Sequence, residues 1–255
     1  MSAETIVILG TDHAEPTLAV CNYLVERFPE SIIVYEQREP RNDFLRRRIR
    51  RLGLLTVAGQ IAFQTIVVPC LKKLSARRIE QIRVEFGIRI TPVPGHLLSS
   101  VNSQDAIDLV KTHNPACIVV AGTRIISRQF LQNFCCPIVN IHAGITPFYR
   151  GVHGAYWALA EKHPELCGVT VHRVDAGIDT GEVLGQEVLN PQTDDNFVTY
   201  PWLQLGLGLR LLARLLPDLI GGRATAGELL TSESQLRTHP TIWGYCWHRF
   251  MNGVK

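Results

Sequence analysis

The chain has no Cys-x-x-Cys pair and no cysteine–histidine spacing of the zinc type, so no metal site is expected. Its seven cysteines, Cys21, Cys70, Cys117, Cys135, Cys136, Cys167 and Cys246, are odd in number. They read as buried, reduced thiols rather than a disulfide framework. Excess charge is lacking too: 26 Lys and Arg face 23 Asp and Glu, a net +3, well short of the footprint of a nucleic-acid-binding domain. The Gly-x-Gly-x-x-Gly fingerprint is missing, since GTDHAEP after the first apolar run has one glycine, and no bound dinucleotide is expected. The start, MSAETIVILG, lacks the basic region and cleavage site of a secretory leader, which makes a cytoplasmic location the expectation. No internal repeat or low-complexity tract is apparent.

What is there is apolar and periodic. With 255 residues and 46% apolar content the chain can bury one ordinary core with an appendage beyond it. Residues 5–10 (TIVILG) form a β-branched run ending in glycine, and 15–28 carries Leu18, Val20, Leu24 and Phe28 at helical spacing. Runs at 31–35 (SIIVY), 117–121 (CIVVA) and 138–141 supply further strands, apolar enough to be buried on both faces as parallel strands are. Strands alternating with helical stretches predict an α/β fold, a doubly wound, Rossmann-like and mostly parallel sheet. The polar stretch 190–196 (NPQTDDN) predicts the end of a catalytic unit over 1–190, followed by a helical and aromatic extension over 191–255. There Leu203, Leu205, Leu207, Leu211 and Leu215 are expected to pack on the body, and Trp243, Tyr245, Trp247 and Phe250 to form a packed tail.

The region 38–74 is the least ordinary. A basic run, RRRIRR at 46–51, precedes an apolar segment that Gln60, Gln64 and Pro69 interrupt, which makes a poor membrane-spanning helix. A packed helix is the plain expectation; peripheral membrane association through 46–74 is the sharper one. The basic run itself fits either a phosphate contact or a solvated, disordered charge run. The apolar segment and the aromatic tail are both candidate surfaces for a homodimer.

The most informative segment is VNIHAGITPFYRG, residues 139–151. Asn140 and His142 stand two apart at the end of an apolar run, and side chains at i and i+2 of an extended segment share a side. An amide that donates to a carbonyl oxygen and an imidazole that handles a proton can thus converge on one substrate atom, at the carboxyl end of a strand where such sheets bind ligands. Downstream, CGVTVHRVDAGIDTGEVL (167–184) reads as a strand over 169–174 and then a glycine-rich loop holding Asp175 and Asp179. Aspartates beside glycine are common turn formers; either could also orient the imidazole.

These two segments, in this order and a helix-length apart, resemble the signature of the formyltransferases that use 10-formyltetrahydrofolate. The family's Asn-x-His, linker, Pro, aromatic pair and Arg-Gly are all matched, as is its second motif with a carboxylate-bearing loop. The resemblance implies catalytic roles for Asn140, His142 and Asp179. Asp179 is favoured over Asp175 because the family's carboxylate precedes a small residue and glycine, here Thr180 and Gly181. GTRIIS (122–127) resembles the family's pterin-lining segment, which implies backbone contacts around Arg124, Ile125 and Ile126, with Asp175, Gly177 and Ile178 on the other side. Gly151 is expected to let the backbone approach ligand, Arg150 to make an ion pair or touch substrate, and His172 to be a satisfied structural histidine. 10-Formyltetrahydrofolate is thereby the expected cosubstrate.

The acceptor is expected to be a small-molecule amine. Glycinamide ribonucleotide formyltransferases carry a Gly/Ser-rich phosphate loop where this chain has GTDHAEP, and methionyl-tRNA formyltransferases add a β-barrel for which the part after Asn196 is too short and too helical. By elimination the chain resembles formyltransferases acting on nucleotide-linked amino sugars for surface polysaccharides. A phosphoribosylglycinamide formyltransferase, a formyltetrahydrofolate hydrolase, lacking here its regulatory domain, and a non-catalytic folate-binding protein are the alternatives.

Overall fold

Strand β1 (Ile6–Thr11) shows why the sheet forms. Ile6, Val7, Ile8 and Leu9 are all fully buried, alternate side chains entering the cores on the two sides of the sheet. Each such burial is worth about 1.5–3 kcal/mol. The computed structural model describes residues 5–38 and 41–255; the first four residues, on which the expectation about the leader partly rests, lie outside the described residues.

Seven strands make the sheet, in the order β3-β2-β1-β4-β5-β7-β8. They are β1, β2 (Ile32–Glu36), β3 (His96–Leu98), β4 (Cys117–Ala121), β5 (Ile138–His142), β7 (Gly168–Arg173) and β8 (Val183–Val188). The pairs from β3 to β5 are parallel, while β7 runs antiparallel to β5 and to β8. Strands β6 (Tyr149–Gly151) and β9 (Gln235–Arg237) form a small parallel pair beside it. The expected doubly wound, mostly parallel α/β sheet is present, with the strand boundaries shifted by at most one residue at each end.

Helices cover both faces. On one, α6 (Gln104–Thr112) and α7 (Arg128–Gln132) close a core around Val7, Leu9, Ile118 and Phe130. On the other, α1 (Glu15–Arg27), α8 (Gly154–Ala160) and the long α9 (Tyr200–Ile220) close the larger core. Leu203 and Leu211 of α9 are buried, and Leu205, Leu207 and Leu215 pack partly buried against the same core, as expected. The polar connector before α9 is more than a turn: Asp195 is buried, its carboxylate accepting from Arg78 Nε and Nη2 at 2.8 and 3.0 Å.

The region after β2 departs from expectation. The basic run is helical, α2 (Arg41–Leu52), rather than disordered. Next, α3 (Leu54–Ala62), one π-helical turn at Phe63–Val67 and α4 (Val68–Leu74) make one continuous helix, followed by α5 (Ala76–Phe86). Phe63 anchors it, meeting Phe197 edge-on at 4.8 Å and Tyr245 at 4.9 Å. The expected packed helix is present on that side only. The aromatic tail, α10 (Ile242–Met251), likewise packs through Tyr245 while Trp243, Trp247 and Phe250 are exposed, a correction that reflects a one-sided helix where four rings fall on two faces. The thiols divide similarly: Cys21, Cys117 and Cys167 are buried, but Cys70, Cys135 and Cys246 are exposed and Cys136 half-buried, all of them free.

Candidate active site

Strand β5 delivers Asn140 and His142 to the carboxyl end of the parallel strands. Antiparallel pairing then sets His172 of β7 directly opposite Asn140, and Thr170 opposite His142. The loop after β7 returns Asp179 to the same point, held at φ +52°. Left-handed backbone is uncommon outside glycine but tolerated by aspartate, and it aims the carboxylate inward.

The contacts fix the protonation pattern. His142, buried, places Nε2 2.7 Å from the Tyr149 carbonyl, so Nε2 donates. Its Nδ1 lies 3.3 Å from Asp179 Oδ2. Burial alone pushes the Asp179 carboxyl up, but the His142 hydrogen bond and charge, the Gly151 N–H and His172 together hold it below the ordinary carboxylate value. Asp179 is therefore ionised beside the imidazole. Gly144 makes the turn that brings the Tyr149 carbonyl over: a Cβ there would stand 2.5 Å from that oxygen and 2.8 Å from His142 Nε2.

His172 is satisfied, as expected, yet it belongs to this cluster. Its Nδ1 donates to the Arg173 carbonyl at 2.7 Å, which leaves Nε2 to accept from Asn140 Nδ2 at 3.2 Å. Burial depresses its pKa and keeps it neutral, the form that can accept. Sequence reasoning missed this role because nothing in the chain marks the cross-strand register. Asn140 keeps a second Nδ2 proton for a ligand.

All nine residues expected at the site line one cavity of about 390 Å³: Asn140, His142 and Asp179 on one wall, Arg124, Ile125 and Ile126 on a second, Asp175, Gly177 and Ile178 on a third. Several of these groups have partners within the protein. Arg124 points away: its Nε is 2.7 Å from the buried Glu36, and its backbone N–H donates to the same carboxylate at 2.6 Å. This pair pins the 122–127 loop. Ile126 is buried in the core and Ile125 is exposed. Asp175 closes its own turn, accepting from Gly177 N–H and Thr180 Oγ1. Arg150 donates to the Ile178 carbonyl at 3.2 Å, tying two cavity loops. Gly151, at φ +93°, admits the β9 backbone rather than a ligand, since a Cβ would meet the Arg237 carbonyl at 2.3 Å; its N–H donates to Asp179 Oδ2 at 2.9 Å.

Beside this cavity lies a chamber of about 440 Å³ that shares Val120, Gly122, Ile141 and Ala143 with it. It lies at the carboxyl ends of β4 and β5, beside the starts of α1 and α9. Its walls are mainly apolar, with Glu15, Gln64, Lys72, His153 and Gln204 as the polar groups.

A doubly wound sheet carrying Asn-x-His at a strand end and a loop aspartate on the imidazole is an arrangement that acyl transfer can use. The family model described as formyl transferase matches residues 63–200, and the chain belongs to that family. A methionyl-tRNA formyltransferase from Kosmotoga olearia is 30% identical over 152 residues, covering 59% of this chain and 47% of that protein. A phosphoribosylglycinamide formyltransferase from Mycobacterium tuberculosis is 42% identical over 116 residues, 43% of this chain and 52% of that protein. The chain thus matches about half the length of these curated relatives. Among solved structures, a sugar N-formyltransferase from Shewanella superposes with a TM-score of 0.55 at 18% identity, over 92% of this chain and 76% of that one. Glycinamide ribonucleotide transformylase 1 from Symbiobacterium toebii gives 0.56 at 17% identity, over 89% and 92%. These share the fold.

Proposed function

We propose that the protein transfers a formyl group from 10-formyltetrahydrofolate to a primary amine, with Asn140, His142 and Asp179 as the catalytic residues. The observation that carries the reading is the His142–Asp179 contact of 3.3 Å at the wall of a cavity flanked by a second chamber. The cavity, with apolar walls at Val120, Ile141, Val174 and Ile178 and backbone rims at 122–126 and 175–178, suits a flat bicyclic ring such as a pterin. When bound, the folate supplies a formyl carbon on a nitrogen leaving group.

Asn140 donates its free Nδ2 proton to the formyl oxygen and stabilises the charge that grows there. The amine, held in the chamber, forms the new C–N bond as the bond from carbon to the folate nitrogen breaks. The His142–Asp179 pair takes the proton the amine loses and returns one to the leaving nitrogen, so that no charge is left over. His172 holds the Asn140 amide in place.

For the acceptor, a nucleotide-linked amino sugar in the cytoplasm, on a route to surface polysaccharide, is the reading we favour. Lys72 in the chamber and Arg48 in the pocket beyond Gln64 supply cations for a diphosphate. Similarity to phosphoribosylglycinamide formyltransferases supports a second acceptor, yet Glu15 opens α1 where a phosphate on the helix N-terminus would lie, and the charges repel. The test is a panel of amines with product read by mass spectrometry. Formamides of amino-sugar nucleotides are expected; formylation of glycinamide ribonucleotide alone selects the second acceptor, and donor turnover without any amine selects a hydrolase.

A further inference from the structure

Two helices carry apolar stripes that the fold leaves uncovered. In the continuous helix Leu54–Leu74 only 22% of the most apolar stretch is buried, although it is long and apolar enough to cross a membrane. Leu54, Leu55, Ile61, Ile66 and Leu74 are exposed, Leu55 at 75%, whereas Phe63 is fully buried. On α10 Trp247 is 61% and Phe250 85% exposed, with Trp243 and Met251 beside them. Trp243 lies over Gly59, where a Cβ would stand 2.2 Å from its ring, so the two stripes share an edge.

The helix lies along the body rather than through a bilayer. Gln60 is buried and donates to the His239 carbonyl at 2.6 Å while accepting from Arg48 at 2.5 Å, and Gln64 donates to His239 Nδ1 at 3.1 Å. One face is thus committed to the fold.

Charge follows the same division. Residues 44–79 contain nine Lys and Arg and no acidic residue, and 234–255 contain three and none; the rest of the chain carries fourteen against twenty-three acidic. Arg46, Arg50, Arg51, Lys73 and Arg249 are exposed around the stripes. Two copies meeting through this face would bring basic clusters together, an arrangement that repels. Exposed Leu, Ile, Trp and Phe ringed by Arg and Lys is instead the composition that settles in the headgroup region of an anionic bilayer. Most of this face, α2, α3 and α10, lies outside the residues 63–200 matched by the family.

We propose that α2, the Leu54–Leu74 helix and α10 form a docking face for an anionic membrane surface. The inner side of that helix supplies Gln64, Val68 and Lys72 to the chamber, and a second pocket bounded by Arg48, exposed Ile61 and Thr65 shares Gln64 with it. Docking would therefore set the chamber beside the bilayer, although the docking itself does not depend on which amine is formylated.

Flotation of the purified full chain with vesicles of phosphatidylcholine, alone or with about one-third phosphatidylglycerol, tests it. Binding to the anionic vesicles is expected, at least about tenfold above neutral ones and lost as salt is raised toward about 1 M. Exposed-site variants Ile66→Glu, Phe250→Glu and Arg50→Glu/Arg51→Glu should each lower binding about tenfold or more with the circular dichroism spectrum and melting temperature unchanged. Wild-type protein that stays with the buffer, variants that bind as well as wild type, or a dimer in sedimentation velocity that the same variants dissolve would overturn it.

Discussion

Asp179 carries the most demanding position in the site, with a left-handed backbone, a buried carboxylate and three partners in His142, His172 and Gly151. Asparagine tolerates the same backbone, so Asp179→Asn should fold normally and lose only the charge. A drop in kcat of about 10²- to 10³-fold with a melting temperature close to wild type is the expected outcome in steady-state assays. His172 acts through Asn140, and its variants should separate position from structure. His172→Leu removes the acceptor for the Asn140 amide and should lower kcat about tenfold or more with little change in KM. His172→Gln, which still offers an oxygen, should recover much of that loss; equal damage in both would mean the histidine serves only the packing. At this scale the motif residues were legible because each is a rare type at a fixed spacing. His172 and the Glu36–Arg124 pair were not, because both depend on neighbours far along the chain that only the sheet brings together.

Between elements, the junction of α8, the long helix and the C-terminal tail rests on neutral histidines. His153, at the start of α8, donates from Nε2 to His239 Nδ1 at 2.8 Å, and Gln64 donates to the same nitrogen. Burial, with His239 as neighbour, pushes His153 down to about 3. Burial, with Arg48 nearby, pushes His239 down to about 4. A proton on His239 Nδ1 would confront two donors. Since both folded values lie below the unfolded value near 6.5, the unfolded chain binds more protons between them. Their contribution is complete above about pH 6.5 and is lost as pH falls toward 4, on the order of 2 kcal/mol for each by pH 5. Thermal melts across pH 5–8 should show the melting temperature falling below pH 6.5, and His239→Gln should flatten that fall; a flat wild-type curve would contradict the assignment. The central strands and α9 were readable from periodicity, since β4 is an unbroken apolar run and β5 opens on one. Gln60 and Gln64 read as interruptions of an apolar segment, whereas they hold the tail, a contact that spans about 175 residues. Which face of that helix is covered cannot be read where both faces are apolar.

Over the whole molecule, the sheet sets two adjoining spaces at its carboxyl edge, and the cluster of Asn140, His142 and Asp179 stands at the wall of one of them. The catalytic unit is expected to end at residue 190, and α9, at the start of the extension beyond it, lies on β5, β7 and β8. On the proposed reading this cluster moves a formyl group from folate to an amine. The most direct measurement is absorbance-monitored release of tetrahydrofolate from 10-formyltetrahydrofolate, with and without amine acceptors, for wild type beside His142→Ala and Asn140→Ala. Amine-dependent release by wild type, reduced about 10²-fold or more in either variant with folding retained, is the predicted result. Full activity in both variants, or no release with any amine tested, would contradict it.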